Sequence, residues 1–123
     1  MVSGADCGGG GIMQQFNLID YINRQIGFSE KAFGHGVRTL GLCKHIRKEL
    51  LEIEAAPHDL SEWIDVMILA IDGAWRAGYT PEQIAVALEL KLNINKSREW
   101  PKGKEDEPIE HVRERAQIMG VVE

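Results

Sequence analysis

Apolar residues recur along this chain at helical spacing, with no strand-period alternation of useful length. Phe16, Ile19, Ile22 and Ile26 predict a first helix over residues 16–26, with Gly27 ending it. Residues 29–38, which include Phe33, Gly34, His35 and Gly36, read as a loop. A second helix is expected over residues 39–56, with Leu40, Cys43, Ile46, Leu50 and Ile53 as its core stripe and Pro57 closing it. Asp59 or Ser61 then caps a third helix that continues through Trp75 to Gly78. Thr80 caps a fourth, with Pro81 at its first position, running to Lys96. Trp100-Pro101 breaks the pattern, a charged segment follows, and a short final helix is expected over residues 108–119. Helices joined by short loops predict an all-α fold, a bundle of four to five helices.

The first eleven residues, MVSGADCGGGG, have too much backbone freedom to hold a fixed path and read as a disordered tail. No GK[ST] and no preceding strand support a phosphate loop there. Residues 12–123 then form a single domain, since a 123-residue chain suits one compact unit. Its core is modest, and oligomerisation is a natural way to cover more apolar surface. A net charge of −5 argues against a nucleic-acid partner, which needs a basic face. A small phosphorylated substrate stays possible, because bound cations invert local charge. Cys7 and Cys43 make no disulfide framework, which favours a reducing compartment. No apolar run approaches the ~20 residues of a membrane span, and no signal-peptide start is present. A cytoplasmic protein without a membrane partner is expected.

Four acids carry the chemistry. Glu49 and Glu52 lie three apart on the second helix, and Glu62 and Asp65 three apart on the third, so each pair shares a helix face. The short connection makes the two helices antiparallel neighbours. The hairpin sets Glu52 opposite Glu62 or Trp63, and Glu49 opposite Asp65 or Val66. Four carboxylates gathered this closely must protonate or find cations. An all-oxygen set suits Mg²⁺ or Mn²⁺, and Mg²⁺ commonly also binds substrate phosphates. Bland readings compete. Lys44, Arg47 and Lys48 could pair with Glu49 and Glu52 in solvent, Glu62 could close a capping box with Asp59, and Asp65 could be solvated. The apolar company of Asp65 (Trp63, Ile64, Val66, Met67, Ile68 and Leu69) favours a buried carboxylate that needs a partner.

ExxE on one helix followed by ExxD on the next resembles the metal motif of the all-α nucleoside triphosphate pyrophosphohydrolases, the MazG-like proteins and dimeric dUTPases. HIRKELLEIEAAPHDLSEWIDVMILAIDGAWRAGYTPEQIAVAL and the later NKSREWP resemble the dATP/dGTP pyrophosphohydrolase subgroup, which includes phage enzymes of the MazZ type that help make 2-aminoadenine genomes. The resemblance covers residues 14–116. It implies hydrolysis of a (d)NTP, dGTP and dATP foremost, to dNMP and pyrophosphate. Glu49, Glu52, Glu62 and Asp65 would hold Mg²⁺ or Mn²⁺, and Glu49 or Glu52 would orient or deprotonate the attacking water. It also implies a homodimer or homotetramer. One departure is the gap of nine residues between Glu52 and Glu62, shorter than in many members. A base-gating segment must then lie elsewhere, at residues 28–38.

Other candidates are weaker. Lys91, Asn95, Lys96 and Arg98 close the fourth helix, where the family places groups on phosphate or sugar, although cations there also suit the helix dipole. Lys44 and Lys48 could reach phosphate. His35 and Arg38 could read the base, as could Gln15, Asn17 and Asn23, and Phe16 or Phe33 could stack on it. His58-Asp59 matches the HD pair of phosphohydrolases, but the further histidines of that class are absent, and His58 reads as a turn residue. A di-iron oxidase would need Glu-x-x-His, which does not occur. A non-catalytic helical scaffold and a pyrimidine-directed pyrophosphohydrolase are the remaining alternatives.

Overall fold

A computed structural model of the chain describes residues 15–103 and 105–112. Regular structure among the described residues is entirely helical: α1 (Leu18–Phe33), α2 (Thr39–Ala55), α3 (Leu60–Arg76) and α4 (Pro81–Ser97). None of these helices is long and apolar enough to cross a membrane. The expected N-terminal tail and most of the expected fifth helix lie outside the described residues. Residues 108–112 of that fifth helix are not helical. Instead, the Val112 N–H donates to the Glu99 carbonyl at 2.7 Å. The chain divides into two compact units, Met1–Ala85 and Val86–Glu123.

In the first unit, α2 and α1 both pack on α3. Asn17 caps α1 by accepting from the Asp20 N–H at 2.9 Å. Contrary to expectation, α1 runs straight through Gly27. An interior glycine costs only about 1 kcal/mol relative to alanine, and the residues flanking it are anchored. Gln25 Nε2 donates to the Ile68 carbonyl at 2.9 Å, and Ser29 Oγ to Asp72 Oδ2 at 3.0 Å. Residues 29–33 are therefore helix, and the connection shrinks to residues 34–38. The helix stops at Gly34, whose φ of 82° favours a residue without Cβ.

The seam of α2 also differs from the expected one. Leu42, Ile46, Glu49 and Ile53 lie on one face at spacings of four, three and four. Leu42, Glu49 and Ile53 are buried, whereas Leu40 and Leu50 are exposed on other faces. A carboxylate thus sits where an apolar stripe continues. Asp59 caps α3, accepting from the Ser61 N–H at 3.0 Å and from Ser61 Oγ at 2.6 Å. These bonds hold its carboxyl below the usual range. The Asp59 N–H itself donates to the Ala56 carbonyl, so no capping box ties up Glu62. A reciprocal box forms at α4 instead: Gln83 N–H to Thr80 Oγ1 at 3.0 Å, and Thr80 N–H to Gln83 Oε1 at 2.9 Å. In the second unit, Trp100 Nε1 donates to the Asn95 carbonyl at 2.8 Å, and its ring meets His111 edge-on at 5.7 Å.

Among the described residues the buried apolar side chains are Ile22, Leu42 and Ile53, fewer than the buried polar ones. An ionic cluster occupies the centre. Asp72 Oδ2 accepts from Arg76 Nε at 3.0 Å as well as from Ser29, and Asp72 Oδ1 accepts from Trp75 Nε1 at 2.8 Å. Arg76 also donates to the Gly36 carbonyl at 2.9 Å and to Ser29 Oγ at 2.9 Å. One guanidinium thereby joins α3, the end of α1 and the loop behind it. Burial alone would raise the Asp72 carboxyl, but the bonds from Ser29, Trp75 and Arg76, with the Arg76 charge, hold it below its ordinary value. A carboxyl depressed in the folded state stabilises at neutral pH, and that contribution is lost as pH falls through the folded-state pKa. Arg76→Met should therefore cost about 3–5 kcal/mol in urea unfolding at pH 7, because it strands a buried carboxylate. Asp72→Asn should also destabilise at pH 7, with the gap to the native chain closing on acidification. A pH-independent gap would remove Asp72 ionisation as its cause.

Candidate functional site

The α2–α3 hairpin brings three of the four acids together. One carboxylate oxygen from each of Glu49, Glu52 and Glu62 lies within 4.8 Å of the others. Oxygens that share a divalent ion stand about 2.0–2.6 Å from it, so this spacing suits a common cation. The strongest sign is in Glu49, which is only 8% exposed. Its Oε2 lies 3.2 Å from His45 Nε2, one turn back on α2. Its Oε1 is buried and has no hydrogen-bond partner. A buried carboxylate oxygen left unpaired is costly, and a cation would satisfy it. Glu62 is perturbed in the same sense. Desolvation, then the charges of Glu52, Asp59, Glu49 and Asp65, raise its carboxyl above the ordinary range.

Asp65 does not join the three-oxygen group. The expectation that it is buried is corrected, since it is exposed. Its apolar neighbours on α3 are open too, Trp63 at 50% and Met67 at 57%. Val66, Ile68 and Leu69 are half-buried, and burial deepens to Asp72 and Arg76. Trp63 is held by an Nε1 bond to the Pro57 carbonyl at 3.0 Å. Lys44 and Lys48 are exposed on α2. Among the described residues, neither they nor Arg47 form ion pairs with Glu49 or Glu52, and His45 takes that place.

A cleft of about 140 Å³ opens in the same unit between α1, α2 and α3. Gln25, Phe28 and Phe33 line it from α1, with Arg38, His45 and Asp72 on the other walls. The Arg38 guanidinium lies over the Phe33 ring, 5.4 Å from its centroid. His35 stands outside this lining, exposed and 3.2 Å from Glu30 through Nδ1. Lys91, Asn95 and Lys96 lie on α4 and Arg98 just beyond it, all in the second unit. There Arg98 Nη1 donates to Asn95 Oδ1 at 3.4 Å. Reading the sequence missed His45, Gln25 and the Ser29–Asp72–Arg76 cluster. The i, i+4 spacings of His45 to Glu49 and of Asp72 to Arg76 were the available signals.

Among the described residues, two neighbouring helices gather carboxylates at a spacing that would suit a cation, and comparison with known proteins narrows the class further. A family model described as dATP/dGTP pyrophosphohydrolase matches residues 21–118, which include all four acids. The chain belongs to the dATP/dGTP pyrophosphohydrolase family. It is also 42% identical over 65 residues to the Eaa protein of Salmonella phage P22, a stretch that covers 53% of this chain and 20% of that protein. The chain thus matches about a fifth of that relative's length. No solved structure matches.

The unpaired Glu49 oxygen predicts opposite effects with and without metal. Glu49→Gln removes a buried charge from a repulsive cluster, so the metal-free protein should melt about 2–5 °C higher. Mg²⁺ or Mn²⁺ should raise the melting temperature of the native chain by mass action and shift the variant far less. Equal metal shifts in both proteins would remove Glu49 from the site.

Proposed function

We propose that the chain hydrolyses purine deoxynucleoside triphosphates, dATP and dGTP, to the monophosphate and pyrophosphate. Mg²⁺ or Mn²⁺ would be held by Glu49, Glu52, Glu62 and Asp65. The observation that carries this reading is the orphaned, buried Glu49 Oε1 within a three-carboxylate cluster, in a chain of this family. Asp65 is assigned as the fourth ligand because it lies one turn from Glu62 and close enough to raise its carboxyl. Held by these carboxylates, a divalent cation would offset the triphosphate charge and the negative charge that develops on the phosphoryl and leaving-group oxygens.

The side chains do the rest. His45 fixes one Glu49 oxygen, which leaves the other turned to the ligand. Glu52, more open than Glu49, is the carboxylate assigned to orient the water and take its proton. The water oxygen bonds to the α-phosphorus, the bond from that phosphorus to the bridging oxygen breaks, and pyrophosphate leaves. Lys44 and Lys48 on α2 are assigned to phosphate on their charge and the family resemblance. His35 and Arg38 are assigned to the base side. The reaction would act on the deoxynucleotide pool in the cytoplasm, including, for a phage-borne enzyme, the pool from which 2-aminoadenine DNA is built.

The working form is a homodimer or homotetramer. Leu50, Leu51, Leu60, Trp63, Ile64 and Met67 are exposed around the acid end of the hairpin. Apolar surface so gathered suits burial against a second copy. Light scattering at micromolar concentration should give a dimer or a multiple of it, and a clean monomer would overturn the assembly.

Incubation with dATP or dGTP and Mg²⁺ or Mn²⁺ should release pyrophosphate and dNMP, and a chelator should abolish the reaction. Orthophosphate with dNDP as product would contradict the reading. Glu52→Gln and Asp65→Asn should each lower kcat/KM by orders of magnitude with unchanged helical circular dichroism. Near-native rates in both would show that the site is misassigned.

A further inference from the structure

A second orphaned oxygen belongs to a residue of the cleft wall. Gln25 lines it and is only 7% exposed. Its Nε2 donates to the Ile68 carbonyl at 2.9 Å. A carbonyl only accepts, so this bond fixes which way the amide faces. Gln25 Oε1 is then left buried with no partner. The acid on the cleft wall is committed elsewhere, because the two Asp72 oxygens accept from Ser29, Trp75 and Arg76. The cleft offers an acceptor that lacks a donor.

The surroundings suit a flat ring. A volume of about 140 Å³ holds one heterocycle and is too small for a whole nucleotide. Phe28 and Phe33 meet edge-on at 6.1 Å beside it, and Arg38 covers the Phe33 face. The cleft also leads to the acids. Gly41 and His45 line it, and His45 Nε2 touches Glu49. Gly41, His45, Glu49 and Glu52 follow at spacings of four, four and three, on one face of α2. That face spans about 16 Å at the rise of an α-helix, enough to set a base at one end and phosphates at the other.

We propose that this cleft is the nucleobase subsite and that Gln25 Oε1 selects bases presenting an amino group, from which it accepts a hydrogen bond. The inference rests on the purine-triphosphate reading above. Adenine carries an exocyclic amino group at C6 and guanine one at C2, and unsubstituted purine has neither. A base without a donor leaves the oxygen buried and unpaired, which is how a polar site rejects a near-isostere. Gln25 determines specificity and takes no part in the hydrolytic step.

The test compares kcat/KM for pyrophosphate release from dATP and from the 2′-deoxyriboside triphosphate of unsubstituted purine. The native chain should prefer dATP by about tenfold to a hundredfold. Gln25→Met keeps the length and loses the acceptor, so its ratio should fall close to one while it still hydrolyses the unsubstituted substrate. A native ratio near one overturns the inference whether or not the variant folds. A native preference that persists in Gln25→Met overturns it too, by placing the discrimination elsewhere. No pyrophosphate from dATP, dGTP or the purine analogue would overturn the purine-triphosphate reading and this inference with it, an outcome distinct from turnover without base discrimination.

Discussion

A carboxylate occupies a core position. The α2 seam runs Leu42, Ile46, Glu49, Ile53, and its third member is an acid with one oxygen on His45 and the other unpaired. Packing and chemistry therefore draw on the same face of the same helix. An apolar residue at that position would strengthen the α2–α3 hairpin and remove the cluster. Glu52 and Glu62 stand at the rim of this seam, so their geometry follows from the hairpin that Glu49 weakens. The turn helps to set that geometry. Asp59 spends its side chain on Ser61 and its N–H on Ala56, which leaves Glu62 free to face α2.

With so few apolar side chains buried, α1 cannot be held on α3 by hydrophobic contact alone. The Ser29–Asp72–Arg76 cluster replaces it, together with the Gln25 bond to Ile68. Gln25 meets Ile68 and Ser29 meets Asp72, so α1 and α3 advance in the same sense, and these polar contacts fix their register. Arg76 then reaches the Gly36 carbonyl and secures the loop that leads to Arg38 and α2. Such directional contacts specify one arrangement more sharply than a slippery apolar stripe, and they keep the cleft between the three helices from closing by collapse.

Much of this was legible in the sequence. Period, caps and turn residues placed α2, α3 and α4 within a residue or two, because Pro57, Asp59, Gly78, Thr80 and Pro81 act locally. ExxE and ExxD across a short hairpin anticipated the meeting of Glu49, Glu52 and Glu62 through helix geometry alone. Errors arose where tertiary contacts override local rules. Gly27 looked like a stop, but its neighbours are anchored to α3. Leu40 and Leu50 looked like core, since a periodicity that tolerates several phases does not reveal which face meets a partner helix. His45 was hidden inside a basic run, and Ser29 inside an apparent loop. The pairing of Ser29 with Asp72, forty-three residues away, has no local signature.

The order of groups along α2 separates the cleft from the carboxylate cluster. Gly41 and His45 line the cleft, Glu49 and Glu52 belong to the carboxylate cluster, and His45 alone touches both regions. On the proposed reading, changes at Phe28 or Phe33 can alter which ring is accepted without breaking a bond to the α2–α3 hairpin, whereas Gln25 also donates to the Ile68 carbonyl on α3. Changes at His45 cannot be so confined, since its ring forms part of the cleft wall and orients Glu49. On the proposed reading, a scaffold arranged in this way can alter base preference on one helix while the hairpin that carries the acids stays fixed.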